Sequence, residues 1–242
     1  QLTVKDANGN TFNLTVNVNV VDDVPTVDVG SPLSVTSGQA TAEAAGSFSF
    51  DFGADNGAGK TLTVNGNTFT VPTVGNPTVI DGSNGKLTVN ADGSYSYQAS
   101  PNSGGQSDSF DFVITDADGD TDSATLNVTI GAATGPSDAV TITVNEAGLG
   151  DATNTGETAS ITLPTGYTYV GVATQGTQGT VTLVNGQPVY TLNNAISHTG
   201  GDNGTNTATA ADTVQLTVKD TNGNNFNLTV NVNVVDDVPT VD

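Results

Sequence analysis

Along much of this chain the apolar side chains fall on every second residue. Leu14, Val16, Val18 and Val20 alternate with Thr15, Asn17 and Asn19, and Phe48, Phe50 and Phe52 alternate with Ser49 and Asp51. The same period of two runs through Phe110, Phe112 and Ile114, then Leu126, Val128 and Ile130, then Val140, Ile142 and Val144, and finally Val214, Leu216 and Val218. Successive side chains of a strand point to opposite faces, so these β-branched and aromatic runs predict strands with one face in a core and one in water. Between the runs stand Asn65-Gly66, Asp92-Gly93, Asp118-Gly119, Asn185-Gly186 and Asn222-Gly223. Such pairs tolerate the positive φ that two-residue hairpin turns require. Thr41–Ala45 is the one helical candidate. The pattern predicts an all-β chain of antiparallel hairpins stacked as β-sandwiches.

The chain also repeats itself. Residues 1–28 and 215–242 match at 26 of 28 positions, differing only at Ala7/Thr221 and Thr11/Asn225. Near-identity at an offset of 214 marks a tandem array. Within that period lies a more divergent copy: DSFDFVITDADGD at 108–120 aligns with DTVQLTVKDTNGN at 212–224, and GKLTVNADGSYSY at 85–97 is echoed by GTVTLVNGQPVY at 179–190. The period therefore divides into two modules of a size usual for a sandwich domain. The predicted boundaries are 1–24 as the closing hairpin of a preceding repeat, 25–134 as module one and 135–242 as module two, with joints near VVDDVPTVD at 20–28 and GAATGPSD at 131–138.

Charge narrows what the modules can do. Twenty-five acidic residues face four basic ones, all lysine, for a net charge of −21. That field repels nucleic acid and anionic membranes and attracts cations, above all hard divalent ions that prefer carboxylate oxygens. Without cysteine there is no disulfide, thiolate site or thiol nucleophile, and a single histidine makes zinc an unpromising ligand. No apolar run reaches the roughly 18–20 residues of a membrane span, which predicts a soluble, monomeric fragment whose partners are neighbouring repeats.

The acidic residues fall at turns and joints. Asp116, Asp118, Asp120 and Asp122 crowd around Gly119, where they could converge oxygens on Ca²⁺. The competing reading is a solvated hairpin tip, since Asp and Asn suit turns for local reasons. Asp22-Asp23 and Asp236-Asp237 precede a proline at each repeat joint, with Asp28 and Asp242 a few residues on. A joint poor in apolar residues has little besides an ion to fix its angle, which favours calcium there over a polar linker. Glu146 is expected to reach across the 135–138 joint, and Asp51, Asp55, Asn56, Asp202 and Asn203 are further oxygen candidates. The turns at Asp6/Asn8/Asn10 and Asp220/Asn222/Asn224 keep oxygen but lose charge, and read as turns only. His198 lies in a polar loop without a nucleophile-base partner in sequence.

The 85–97 and 108–120 segments, with VDDVP at 21–25 and TVNEAGL at 143–149, resemble the VCBS-type, Ig-like repeats of large bacterial RTX adhesins. That resemblance implies tandem Ig-like sandwiches, export by type I secretion to the cell surface, and a calcium-stiffened biofilm or adhesion stalk holding a ligand-binding tip. It covers module one well and module two in part, because Asn222 and Asn224 stand where the family pattern prefers Asp. A ligand- or carbohydrate-binding module is the main rival, disfavoured by five tyrosines and no tryptophan. No acid–base dyad, nucleophile motif or phosphate loop points to an enzyme.

Overall fold

The computed structural model describes residues 2–39, 45–54, 57–69, 77–90, 92–150, 156–198 and 206–237. A first hairpin pairs β1 (Leu2–Lys5) with β2 (Thr11–Leu14). Module one follows with β3 (Thr26–Asp28), β4 (Leu33–Thr36), β5 (Ala45–Ser47), β6 (Ser49–Asp51), β7 (Thr61–Val64), β8 (Asn67–Phe69), β9 (Thr78–Asp81), β10 (Gly85–Val89), β11 (Ser94–Ala99), β12 (Ser107–Thr115) and β13 (Thr121–Gly131). Module two contains β14 (Val140–Asn145), β15 (Thr158–Ser160), β16 (Thr168–Thr174), β17 (Gly179–Val184), β18 (Gln187–Leu192), β19 (Thr207–Lys219) and β20 (Asn225–Val235).

Each module is two facing sheets. In module one β5-β11-β10-β9 opposes β4-β13-β12-β7-β8, with β3-β6 as a small third pair; in module two β14-β20-β19-β16 opposes β15-β18-β17. Strand β12 shows why. Its Phe110, Phe112 and Ile114 are wholly buried while Ser109 and Asp111 face water. Each such side chain taken from water contributes about 1.5–3 kcal/mol. The apolar faces close over two separate cores, one from Val29 to Ile130 and one from Ile142 to Val234.

Two of the predicted turns are two-residue hairpins with positive φ at both positions: Asn65 (47°) and Gly66 (77°), then Asn185 (50°) and Gly186 (83°). The Asp118-Gly119 and Asn222-Gly223 pairs instead sit inside five-residue loops. A leading aspartate sets that length: Asp116 Oδ1 accepts from the Gly119 and Asp120 N–H, and Asp220 Oδ1 from Asn222 and Asn224. Asp92-Gly93 likewise closes a loop longer than two residues, from Val89 to Ser94. Most of the helical candidate lies outside the described residues, and Ala45 opens a strand. The helix that does occur among the described residues is a single 3-10 turn, Glu146–Gly148, capped by Asn145 Oδ1 on the Ala147 N–H at 2.7 Å.

The sandwiches are not wholly antiparallel. β4 runs parallel to β13, from Val128↔Leu33 to Gly131↔Thr36, and β14 runs parallel to β20, from Val140↔Val230 to Asn145↔Val235. The first strand of the larger sheet in each module therefore lies beside the module's closing strand and points the same way.

The β1–β2 hairpin repeats the register of β19–β20, with Leu2↔Leu14 matching Leu216↔Leu228 and Lys5↔Thr11 matching Lys219↔Asn225. Its environment differs. Leu2, Val4, Phe12 and Leu14 are exposed, whereas Leu216, Val218 and Leu228 are buried in the second core.

A feature absent from the sequence expectations recurs in both cores. Tyr97 donates its hydroxyl to Asp108 Oδ2 at 2.7 Å, and Tyr190 donates to Asp212 Oδ2 at 2.7 Å. Asp212 also accepts from the Thr177, Gln178 and Gly179 N–H groups, tying the β16–β17 loop to β19. Burial alone pushes the Asp212 carboxyl up, but Tyr190 and the surrounding N–H donors outweigh it and hold the group below the usual carboxylate range. Both tyrosines are pushed well above 10, first by burial and then by their aspartate.

Two outcomes follow for module two. Tyr190→Phe leaves part of a buried carboxylate unpaired and is expected to cost about 1–3 kcal/mol, visible in calorimetry as a lower melting transition for module two and an unchanged one for module one. Because the folded carboxyl of Asp212 titrates below its unfolded value, its contribution is complete above the unfolded value and is lost as pH falls toward the folded one. Melting of the wild type below about pH 4 should thus drop more steeply with acid than that of Asp212→Asn.

Candidate functional site

The five-residue loop between β12 and β13 places its carboxylates by backbone hydrogen bonds. Asp116 is 2% exposed, and while its Oδ1 takes two N–H groups, its Oδ2 is buried without a hydrogen-bond partner. A buried carboxylate oxygen left unpaired is costly, and a cation is the direct remedy. Asp118 and Asp120 from the same loop and Asp22 from the incoming linker bring carboxylate oxygens within 4.8 Å of one another. That span is about twice a Ca²⁺–oxygen distance of 2.3–2.6 Å, so oxygens on opposite sides of one ion would fit it. Like-charge crowding is visible in the titration of the group. The close approach of the Asp116 carboxyl, burial, and the charges of Asp116 and Asp22 all hold the Asp118 carboxyl above its ordinary value. Asp116 goes the other way: burial raises it, but contacts from Asp118, Gly119 and Asp120 prevail and lower it. These donor types and this orphaned oxygen fit calcium.

The other predicted residues divide. Asp23 accepts the Ala54 N–H at 2.8 Å, pinning the linker to the loop after β6. Asp122 accepts the Val27 N–H at 2.8 Å, and Asp28 accepts Gly30 N–H within its own turn. Asp51 similarly caps Gly53. Asp55, Asn56, Asp202, Asn203 and Asp242 lie outside the described residues. The expectation that Glu146 spans the 135–138 joint is corrected: Glu146 follows the far end of β14, where its Oε1 accepts the Ile196 N–H and its Oε2 stands 3.3 Å from His198 Nε2. Asp236 offers an oxygen to the same pair. Asp237 is exposed beside it.

The turn of module two that corresponds to the acidic loop does something different. Asn224, 2% exposed, docks on module one and uses every hydrogen-bonding position of its amide. Its Oδ1 accepts from Ser37 Oγ at 2.8 Å and from the Asn102 N–H at 2.9 Å, while its Nδ2 donates to Ser37 O and to Asp220 Oδ2, both at 3.0 Å. Asn102 Oδ1 accepts the Asn225 N–H at 2.7 Å in return. Gly38 permits the approach, for a Cβ there would sit 2.6 Å from Asn222 O and the backbone has φ +74°. The linker is held too, with Gly135 against the Phe226 ring and Tyr167 edge-on to Phe226 at 6.1 Å.

Two facing sheets per module, an opening strand parallel to the closing one and tandem repetition describe an immunoglobulin-like sandwich, and comparison with known sequences gives it a lineage. The sequence model for the bacterial Ig domain matches residues 1–129. The chain belongs to the bacterial Ig domain family. No curated protein matches this bacterial Ig chain. Among solved structures it is similar to a Bacteroides ovatus mixed-linkage glucan utilization protein, SGBP-B, in complex with a mixed-linkage heptasaccharide, at 12% identity and TM-score 0.27, covering 87% of this chain and 48% of that one. It is also similar to the insect immune protein hemolin (13%, TM-score 0.34, 96% and 55% covered) and to Drosophila N-cadherin EC1-4 (14%, TM-score 0.32, 89% and 50% covered). The bacterial Ig chain spans about half the length of these structures.

The Asn224 contacts tie the two modules of this bacterial Ig chain together without charge. Asn224→Asp would set a carboxylate against Ser37 O and Asp220, and Asn224→Ala would strand Ser37 and Asn102. Each change is expected to weaken docking by about 1–3 kcal/mol while leaving both core melting transitions in place. Residual dipolar couplings measured on the two modules should report one common alignment for the wild type and two independent ones for the variants.

Proposed function

We propose that this chain is a stretch of stalk from a calcium-dependent bacterial surface adhesin, exported to the cell exterior, whose modules space a binding tip from the cell rather than bind or catalyse themselves. Membership of the bacterial Ig domain family supports a surface or extender module and a non-catalytic role. The observation that carries the calcium reading is the buried, unpartnered Asp116 Oδ2 beside carboxylates contributed from both sides of a joint, Asp118 and Asp120 from module one and Asp22 from the linker entering it. An ion held there joins the linker to the module by bonds stronger than the small polar contacts that otherwise leave domains free to swing.

On this reading the joints are of two kinds. The entry to module one is ionic, and the same VDDVP segment recurs at 235–239 after the 214-residue offset. Between modules one and two the joint is the neutral Asn224 network. The exposed apolar face of the β1–β2 hairpin fits this arrangement, since its residues are those that module two buries.

Removing the metal tests the proposal directly. With affinities of roughly 10⁻⁴–10⁻³ M, a free calcium concentration of 100 Kd adds about 2.7 kcal/mol per site, so the module-one transition should rise in calcium and fall in excess chelator. Asp118→Asn/Asp120→Asn is expected to remove that response and at least one ion by calorimetry; a chelator-insensitive wild type overturns the reading.

Stiffness provides a separate test on a chain of several repeats. Small-angle scattering should give a long rod in calcium and a shorter, more variable particle in chelator, and Asp22→Ala should give the flexible profile even in calcium. A variant that remains a rod would place the rigidity in packing instead.

A further inference from the structure

The parallel pairing of β14 with β20 brings the ends of these strands side by side, Asn145 against Val235. Glu146 and Asp236, the next residue in each, therefore meet at the pole where the chain leaves module two, and the Asp236 N–H is fixed there on Asn206 O at 2.8 Å. The loop after β18 delivers His198 to the same place. One side-chain atom from each of the three lies within 4.8 Å of the others.

The arrangement differs from the acidic cluster in burial and in donor type. The side chains of Glu146 and His198 are 6% and 7% exposed, and neither ring nitrogen of His198 has a hydrogen-bond partner. Glu146 Oε1 is engaged by the Ile196 N–H at 2.5 Å, which aims Oε2 at the ring. The 3.3 Å between Oε2 and Nε2 lacks hydrogen-bond alignment. It has the length of an edge of a tetrahedral shell: two ligands about 2.0–2.1 Å from Zn²⁺ stand about 3.3–3.4 Å apart. A buried imidazole lone pair facing two carboxylates is poor company for calcium, which takes oxygen, and good company for borderline d-block ions.

We infer that Glu146, His198 and Asp236 form a second cation site, of different chemistry from the acidic loop, for a borderline divalent ion such as Zn²⁺. His198 Nε2, Glu146 Oε2 and an Asp236 oxygen are three protein ligands, leaving one position for water or for a group from whatever follows. The ion clamps His198, in the loop after β18, to the two strand ends at the exit pole. This site does not depend on the calcium reading, because it shares no residue with the Asp116 loop.

His198 is the chain's only histidine, so its ring nitrogens give the sole imidazole signals of the untagged protein. After stripping with chelator, Zn²⁺ should shift one ring ¹⁵N resonance with one-to-one stoichiometry, while millimolar Ca²⁺ leaves the ring unmoved. Glu146→Gln should weaken the Zn²⁺ response at least tenfold, and Asp118→Asn/Asp120→Asn should leave it intact. Ring signals indifferent to Zn²⁺, or shifted equally by Ca²⁺, would reduce the cluster to a histidine–glutamate ion pair and overturn the inference.

Discussion

In each module the first strand of the larger sheet lies parallel to the closing strand, β4 along β13 and β14 along β20. Parallel neighbours cannot be joined by a tight turn, so the chain must cross the whole sandwich between them. It enters at one pole and leaves from the other. Modules built this way add end to end, and the places where chemistry can act between them are the poles: the β12–β13 and β19–β20 loops, the linkers, and the strand ends. Among the described residues, the two carboxylate-bearing clusters lie at such places.

Pole chemistry then turns on a few atoms. The same five-residue loop, wrapped on a leading aspartate, is used in both modules. Where its third and fifth residues are Asp118 and Asp120, charges pile up beside Asp22, and Asp116 keeps an oxygen buried and unpaired. Where they are Asn222 and Asn224, the amide supplies the two donors that a carboxylate lacks, and Ser37 and Asn102 of the neighbouring module complete it. One heteroatom per side chain separates a loop that crowds carboxylates beside the linker from one whose amide is fully hydrogen-bonded to the neighbouring module.

Much of this was legible in the sequence, and the reasons are local. Alternation from Phe110 to Ile114 or from Val214 to Val218 has one physical reading, and the 214-residue offset shows itself by identity. The acidic loop could be nominated because its residues are neighbours in sequence. Asn224 is visible in the sequence only as a departure from a pattern, for its module-one partners Ser37 and Asn102 lie more than a hundred residues away. His198 has no partner near it in sequence for the same reason. Its meeting with Glu146 and Asp236 depends on a parallel strand pairing that neither periodicity nor turn residues announce. The Tyr190–Asp212 bond was hidden as well, since a tyrosine on an alternating strand looks like any core residue.

The fully occupied amide of Asn224 also bears on how such a chain can grow. Three of its four hydrogen bonds require a Ser37 hydroxyl and carbonyl and an Asn102 N–H on the preceding module, so the two kinds of module are not interchangeable in order. Recombination that inserted or dropped a single module would set an acidic loop against Ser37, or an amide loop against a linker shaped for charge. Recombination in steps of two would preserve every contact. The near-identical residues recur after 214 positions, a two-module step, so the unit that can be copied without misfit is the matched pair.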